Sequence, residues 1–179
     1  MLKRFIYSRE GVLSFIVLVM FFGVGTINPD FISLSNSISI FNDTSILIML
    51  ALGQMMVILT RCIDLSVAAN VAFTGMVVAM VNQYFPEMSM VFLILLSLLI
   101  GTFLGAINGL FVWLLKVPSI VITLGTMSIY RGATFLLSDG AWVNSHQMSA
   151  SFIALPRFEI LSMPVLGWLA IVAIIMVFW

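Results

Sequence analysis

Six apolar runs, each about as long as a helix needs to cross a bilayer, fill most of this chain and are separated by short polar joints. A hydrocarbon core about 30 Å thick calls for roughly 20 helical residues. The runs fall at about residues 11–27, 44–60, 65–85, 90–115, 118–138 and 161–179. None of them alternates polar and apolar residues as a membrane barrel strand does. Peptide groups cannot be left unpaired in lipid, so each run is read as a helix. The expected fold class is all-α, a polytopic bundle of about six transmembrane helices in the lipid bilayer. Only 8% of the residues are charged, against about a quarter in soluble domains, and 63% are hydrophobic. The last run is still apolar at Phe178 and Trp179, so residues 1–179 are expected to form one transmembrane domain that is incomplete at its C-terminus.

The formal net charge is zero, so no global field points to nucleic acid, and the few charges matter by position. Lys3, Arg4 and Arg9 precede the first run, a pattern shared with secretory signal peptides. No small-residue cleavage site closes that run, which favours an uncleaved first span. Short loops rich in Lys and Arg stay cytoplasmic. With the N-terminus inside, Arg61 and Lys116 also fall at inner joints, which places five of the seven cations on the cytoplasmic side. Residues 28–39, 83–89 and 138–160 then lie outside. The fourth run is longer than the hydrocarbon is thick, and Trp113 and Lys116 sit where interfacial anchors belong. The joint at residues 116–119 is so short that its flanking helices must be antiparallel neighbours, with Pro118 tolerated at a helix start.

Polar residues inside spans are costly, so their arrangement is informative. Ser119, Thr123, Thr126, Tyr130 and Thr134 recur at helical spacing and share one face, with Arg131 near its edge. A face of hydroxyls with one ring and one guanidinium can hydrogen-bond a small polyol, or its hydroxyls can bond back to the helix and to neighbouring helices. Ser66, Asn70 and Thr74 form a second stripe, suited equally to a solute path or to interhelical bonding. Asp64 is placed to cap the helix that begins there, with Arg61 available to pair with it. Gly101, Gly105 and Gly109, with Asn108 beside them, form a third stripe that predicts a close helix–helix contact.

Catalytic signatures are thin. Cys62 and His146 are each the only residue of their kind, which rules out an internal disulfide framework and argues against a zinc site or a cysteine–histidine pair. No P-loop pattern occurs, so no cofactor is expected. If ATP drives the machine, another subunit must bind it.

Ile63-Asp64-Leu65-Ser66-Val67 is followed by Asn108-Gly109, Lys116-Val117-Pro118-Ser119, Ile122-Thr123-Leu124-Gly125-Thr126-Met127 and Tyr130-Arg131-Gly132. This series resembles the permease subunit of bacterial carbohydrate ABC importers, the ribose, xylose, galactoside and rhamnose group, from about residue 45 onward. The resemblance implies a non-enzymatic transport subunit in the bacterial inner membrane. It also implies three kinds of partner: a cytoplasmic ABC ATPase, a second permease subunit, identical or not, and a periplasmic sugar-binding protein. Ribose-type permeases carry glycines where Arg61, Cys62 and Ala68 stand here. Residues 142–148 are similar to rhamnose-type permeases, which makes rhamnose the leading sugar. Such permeases are nearly twice this length, so the chain reads as the N-terminal half of one. The substrate-path candidates are Ser66, Asn70, Thr74, Asn108, Thr123, Thr126, Tyr130 and Arg131. The alternative is a self-contained secondary transporter or channel half, which buried mid-span carboxylates would favour. Asp43, Asp64, Glu87 and Asp139 are all expected near span ends.

Overall fold

The structure is a computed structural model and describes residues 8–179. Lys3 and Arg4, on which part of the orientation argument rests, lie outside the described residues. The chain divides into two compact units, one up to Ile46 and the other from Leu47 to Trp179.

In the first unit, helix α1 spans Arg9–Ile27, and Ser8 caps it by accepting a hydrogen bond from the Gly11 N–H at 3.1 Å. A 3₁₀ turn, Pro29–Ile32, reverses the chain, and its start is held by the Asn28 side chain accepting from the Asp30 N–H. Phe31 returns to α1, its ring 5.4 Å from that of Phe21. Helix α2 then runs Leu34–Leu59 and crosses the boundary between the units.

That start corrects the sequence reading, which left residues 28–39 as an outer loop and began the span at 44. The polar residues hid a helix because their side chains serve it. Ser33 accepts from the Asn36 N–H, and Ser39, Thr44 and Ser45 each donate to the carbonyl four residues back. Asp43 is consequently well inside α2 rather than at its end. At about 1.5 Å per residue α2 is about 39 Å long, more than the bilayer core needs, and the excess is on its polar side.

In the second unit, α3 (Val67–Tyr84), α4 (Met90–Leu115) and α5 (Ser119–Ser138) pack against one another. Ala69, Leu104 and Tyr130, one from each helix, form the buried centre, with Phe73, Ile100 and Met127 against it. Ser66 hydrogen-bonds to Asn108, and Asn70 to Gly101, so α4 runs antiparallel to α3. Residues 63–65 meet the start of α5 while the ends of α3 and α5 also meet, so those two run parallel. The exterior is apolar: Leu95, Leu98, Leu99 and Phe103 are exposed while Ser66, Asn82, Asn108, Thr123 and Thr126 are buried. A protein whose surroundings are hydrocarbon gains nothing by hiding leucines and must hide its polar groups.

The segment after α5 holds a 3₁₀ turn (Ser145–Gln147), the short helix α6 (Ala150–Ala154), a second 3₁₀ turn (Leu155–Arg157) and a two-residue hairpin. Strand β1 (Glu159–Ile160) pairs antiparallel with β2 (Met163–Pro164), Ile160 opposite Met163. The described residues thus form the expected all-α bundle, with this two-residue hairpin as an addition to it. Leu161 and Ser162 both take positive φ, +52° and +61°, the backbone a two-residue hairpin turn demands. Helix α7 (Val165–Phe178) follows, starting later than the expected 161 because those residues are spent on the turn. Among the described residues four helices, α2 to α5, are long and apolar enough to cross a membrane. Gly11–Ile27 and Val165–Phe178 are apolar but shorter.

Candidate functional site

Between α2 and α3 the chain is not helical, and the turn begins with Arg61 at φ +60°. Three side chains tie this segment into the bundle. Ser119, the first residue of α5, accepts from the Ile63 N–H at 2.9 Å, and Thr123 accepts from the Leu65 N–H at 3.2 Å. Asn108 of α4 donates from Nδ2 to the Ser66 hydroxyl at 2.7 Å. Asn108 lies seven residues before the end of α4, about 10 Å along it, so Ser66 is inside the bundle rather than at its rim. The hydroxyls of α5 supply what the helix does not.

Asp64 is not the N-cap of α3, as the sequence suggested. Ser66 holds that position, and Asp64 Oδ1 instead accepts from both the Ser66 N–H (2.8 Å) and the Ser66 hydroxyl (2.7 Å). A carboxylate two residues ahead can close this turn without any cation. Arg61 is exposed, so the expected pairing with Asp64 gives way to the contact with Ser66.

The hydroxyl stripe of α5 does share one face, and its centre is buried, with Thr123 2%, Thr126 5% and Tyr130 5% exposed. Tyr130 donates to the Leu104 carbonyl of α4 at 2.8 Å, while Thr126 and Thr134 bond back to carbonyls of their own helix. On α3, Asn70 donates to the Gly101 carbonyl at 3.2 Å, and Thr74 donates to Asn70 Oδ1 at 3.1 Å. Seven of the eight sequence candidates thus lie along one polar seam where α3, α4 and α5 meet. Arg131 does not: it is exposed on the outside of α5.

One acceptor in the seam is unused. Asn108 Oδ1 is buried without a hydrogen-bond partner, although the residue is only 5% exposed. An amide oxygen held dry beside Ser66 is the group readiest to accept a hydrogen bond from an incoming hydroxyl.

The glycine stripe behaves differently from expectation. A Cβ on Gly105 or Gly109 would meet nothing within 4 Å, and one on Gly101 only Asn70 Oδ1 at 3.9 Å. The α4 contacts are made by Leu104, Asn108 and the Gly101 carbonyl, while the face at Gly105 and Gly109 is open among the described residues.

Sequence reasoning missed Asn82. Its side chain is fully buried at the far end of α3, where Nδ2 donates to the Ser149 hydroxyl (2.9 Å) and Oδ1 accepts from the Ser149 N–H (2.8 Å). A second asparagine in an otherwise apolar run was the available signal.

Residues 36–179 match a family described as branched-chain amino acid transport system / permease component. The chain belongs to this permease family. Over its whole length it is 36% identical to the autoinducer 2 import system permease protein LsrC of Yersinia pseudotuberculosis, covering 50% of that protein. The protein of the same name from Yersinia pestis is 35% identical over the same shares. The chain spans about half the length of these curated relatives. No solved structure matches it. Membership agrees with the apolar helices: this is a multi-pass membrane permease sequence.

Proposed function

We propose that this chain is one half, the N-terminal one, of a permease subunit in an ATP-driven importer, and that its polar seam belongs to the path of a monosaccharide across the bacterial inner membrane. The observation that carries the reading is the seam itself. Ser66, Asn70, Thr74, Asn108, Thr123, Thr126 and Tyr130 are gathered between three helices whose other faces are apolar, with the unpaired Asn108 Oδ1 among them. Sugar hydroxyls both donate and accept, so they can replace the seam's interhelical bonds one for one as the helices part. In this reading α1 and α7 complete a set of six spans, the N-terminus is cytoplasmic, and residues 1–179 form one transmembrane domain. The machine is not an enzyme in this subunit: a cytoplasmic ATPase supplies the energy, a second permease subunit completes the path, and a periplasmic binding protein delivers the sugar. Rhamnose leads as cargo on the likeness of residues 142–148, while autoinducer 2, named for the Yersinia relatives, is the competitor.

The test is uptake of labelled rhamnose, ribose, autoinducer 2 and leucine by the assembled importer, each normalised to complex recovered from the membrane. Thr126→Val and Tyr130→Phe should lower uptake per complex. An unchanged ratio in both variants removes them from the path. Uptake of leucine alone would overturn the sugar reading.

A second reading, a self-contained secondary transporter, gains one observation: Asp43 lies within α2 rather than at its end. Uptake that persists without any ATPase and is abolished by Asp43→Asn would favour it.

A further inference from the structure

At the end of the bundle opposite Arg61, the last turns of α3 and α5 and the loop after α5 enclose a crevice of about 150 Å³. Tyr84 and Trp142, with Gln83, Gln147 and Ser138, supply its rings and hydrogen-bonding groups. We propose that this crevice is a landing site for a neutral monosaccharide, distinct from the seam. The proposal rests on the reading of the chain as part of a sugar permease.

Size, chemistry and rigidity each support it. The volume is about half the roughly 300 Å³ at which pockets for drug-sized ligands begin, and it suits a single sugar ring. Tyr84 and Trp142 are 68% and 78% exposed, so their rings are open to a ligand. The C–H face of a pyranose or furanose packs on the electron-rich face of such rings. Around them stand unused polar groups. Among the described residues the Gln83 amide, the Tyr84 hydroxyl and the Trp142 indole N–H have no hydrogen-bond partner. Gln147 Oε1 accepts from the Asn144 N–H at 2.7 Å, which leaves its Nε2 to donate outward. Ser138 Oγ donates to the Phe135 carbonyl at 3.4 Å, which leaves its lone pairs to accept. Donors and acceptors are both present, as a ring of hydroxyls requires.

No charged residue lines the crevice. An amino acid zwitterion would find nothing to neutralise either end, whereas a neutral polyol needs no counter-charge. The walls are also fixed in advance. Asn82, next to Gln83, grips Ser149 through two hydrogen bonds, and Asn144 and Gln147 cap the 3₁₀ turn between them. A loop held this way has less entropy to lose on binding.

The competing account is that Tyr84 and Trp142 are membrane-interface anchors of the ordinary kind. Saturation-transfer NMR on the full chain in lipid nanodiscs separates the two, with rhamnose, ribose and leucine as probes. Rhamnose or ribose should show a saturable, millimolar-range transfer signal that Gln83→Leu weakens at least tenfold, and leucine should show none. Trp142 can report in parallel once Trp113, Trp168 and Trp179 are replaced by phenylalanine: its emission should shift with the sugar and saturate at the same concentration. The unaltered chain in the NMR arm keeps the result independent of whether that triple variant folds. Equal signals from sugars and leucine, or no effect of Gln83→Leu, would overturn the landing site. No sugar signal from the unaltered chain, with sugar uptake by the importer intact, would overturn this site alone. Saturable sugar binding here without any sugar uptake by the importer would uphold the site and overturn the transport reading.

Discussion

Replacing Thr123 by valine tests whether the hydroxyls of α5 hold the backbone of residues 63–65. The two side chains have nearly the same shape, so the change opens no cavity and removes only the hydroxyl. Thr123 Oγ1 accepts from the Leu65 N–H at 3.2 Å and donates to the Ser119 carbonyl at 2.9 Å. The carbonyl loses little, because it keeps its helical partner. The Leu65 N–H loses its acceptor, and since Thr123 is buried but Leu65 itself is 39% exposed, the loss costs about 1–2 kcal/mol, the lower part of the range for an unpaired donor. Since about 1.4 kcal/mol is a factor of ten, local opening of this segment should become roughly five to thirty times more frequent. Amide hydrogen exchange, resolved to Leu65 in nanodiscs, reads that directly. Thr123→Val should speed exchange at Leu65 by that factor and leave the middle of α4 unchanged. Thr123→Ser, which keeps the oxygen, should stay near wild type. Exchange at Leu65 within twofold of wild type in the valine variant would refute the role assigned to the hydroxyl.

Asn82→Ala should release residues 149–154 to faster exchange, by about 1–3 kcal/mol, because the Ser149 N–H loses its acceptor. Gly105→Leu should leave the thermal stability of this chain in detergent unchanged, since nothing lies within 4 Å of a Cβ there; a large loss would mean that the glycine face is packed after all. For orientation, cysteine labelling from outside, in a Cys62-free background, should modify residues placed at Ser89 and Ser145 and spare Ser8. A labelled Ser8 with a protected Ser145 would reverse the topology.

Helix positions from residue 65 to 138 were legible because apolar length and polar joints are one-dimensional quantities. The start of α2 was not, because Ser33, Ser39, Thr44 and Ser45 look like loop residues until their hydroxyls are seen bonding along the helix. Periodicity likewise found the face of Thr123, Thr126 and Tyr130 but could not say what it meets. The same spacing fits a solute or a neighbour's backbone, and Tyr130 meets the Leu104 carbonyl. Gly105 and Gly109 misled for a related reason: a small-residue stripe reports that a backbone can approach, not that one among the described residues does. Asn82 and Ser149, 67 positions apart, were beyond any local pattern.

The fastening of residues 63–65 sets how this joint can move. A peptide group locked into a helix ladder breaks its hydrogen bond when the helix shifts by even one residue. Ile63 and Leu65 are held instead by the hydroxyls of Ser119 and Thr123, which swivel about a single bond and accept over a wide arc. Small rotations of α5 against the foot of α3 can therefore be followed by those hydroxyls with no backbone donor laid bare. The polar stripe works as a bearing: it keeps the break between α2 and α3 sealed while letting the helices on either side turn.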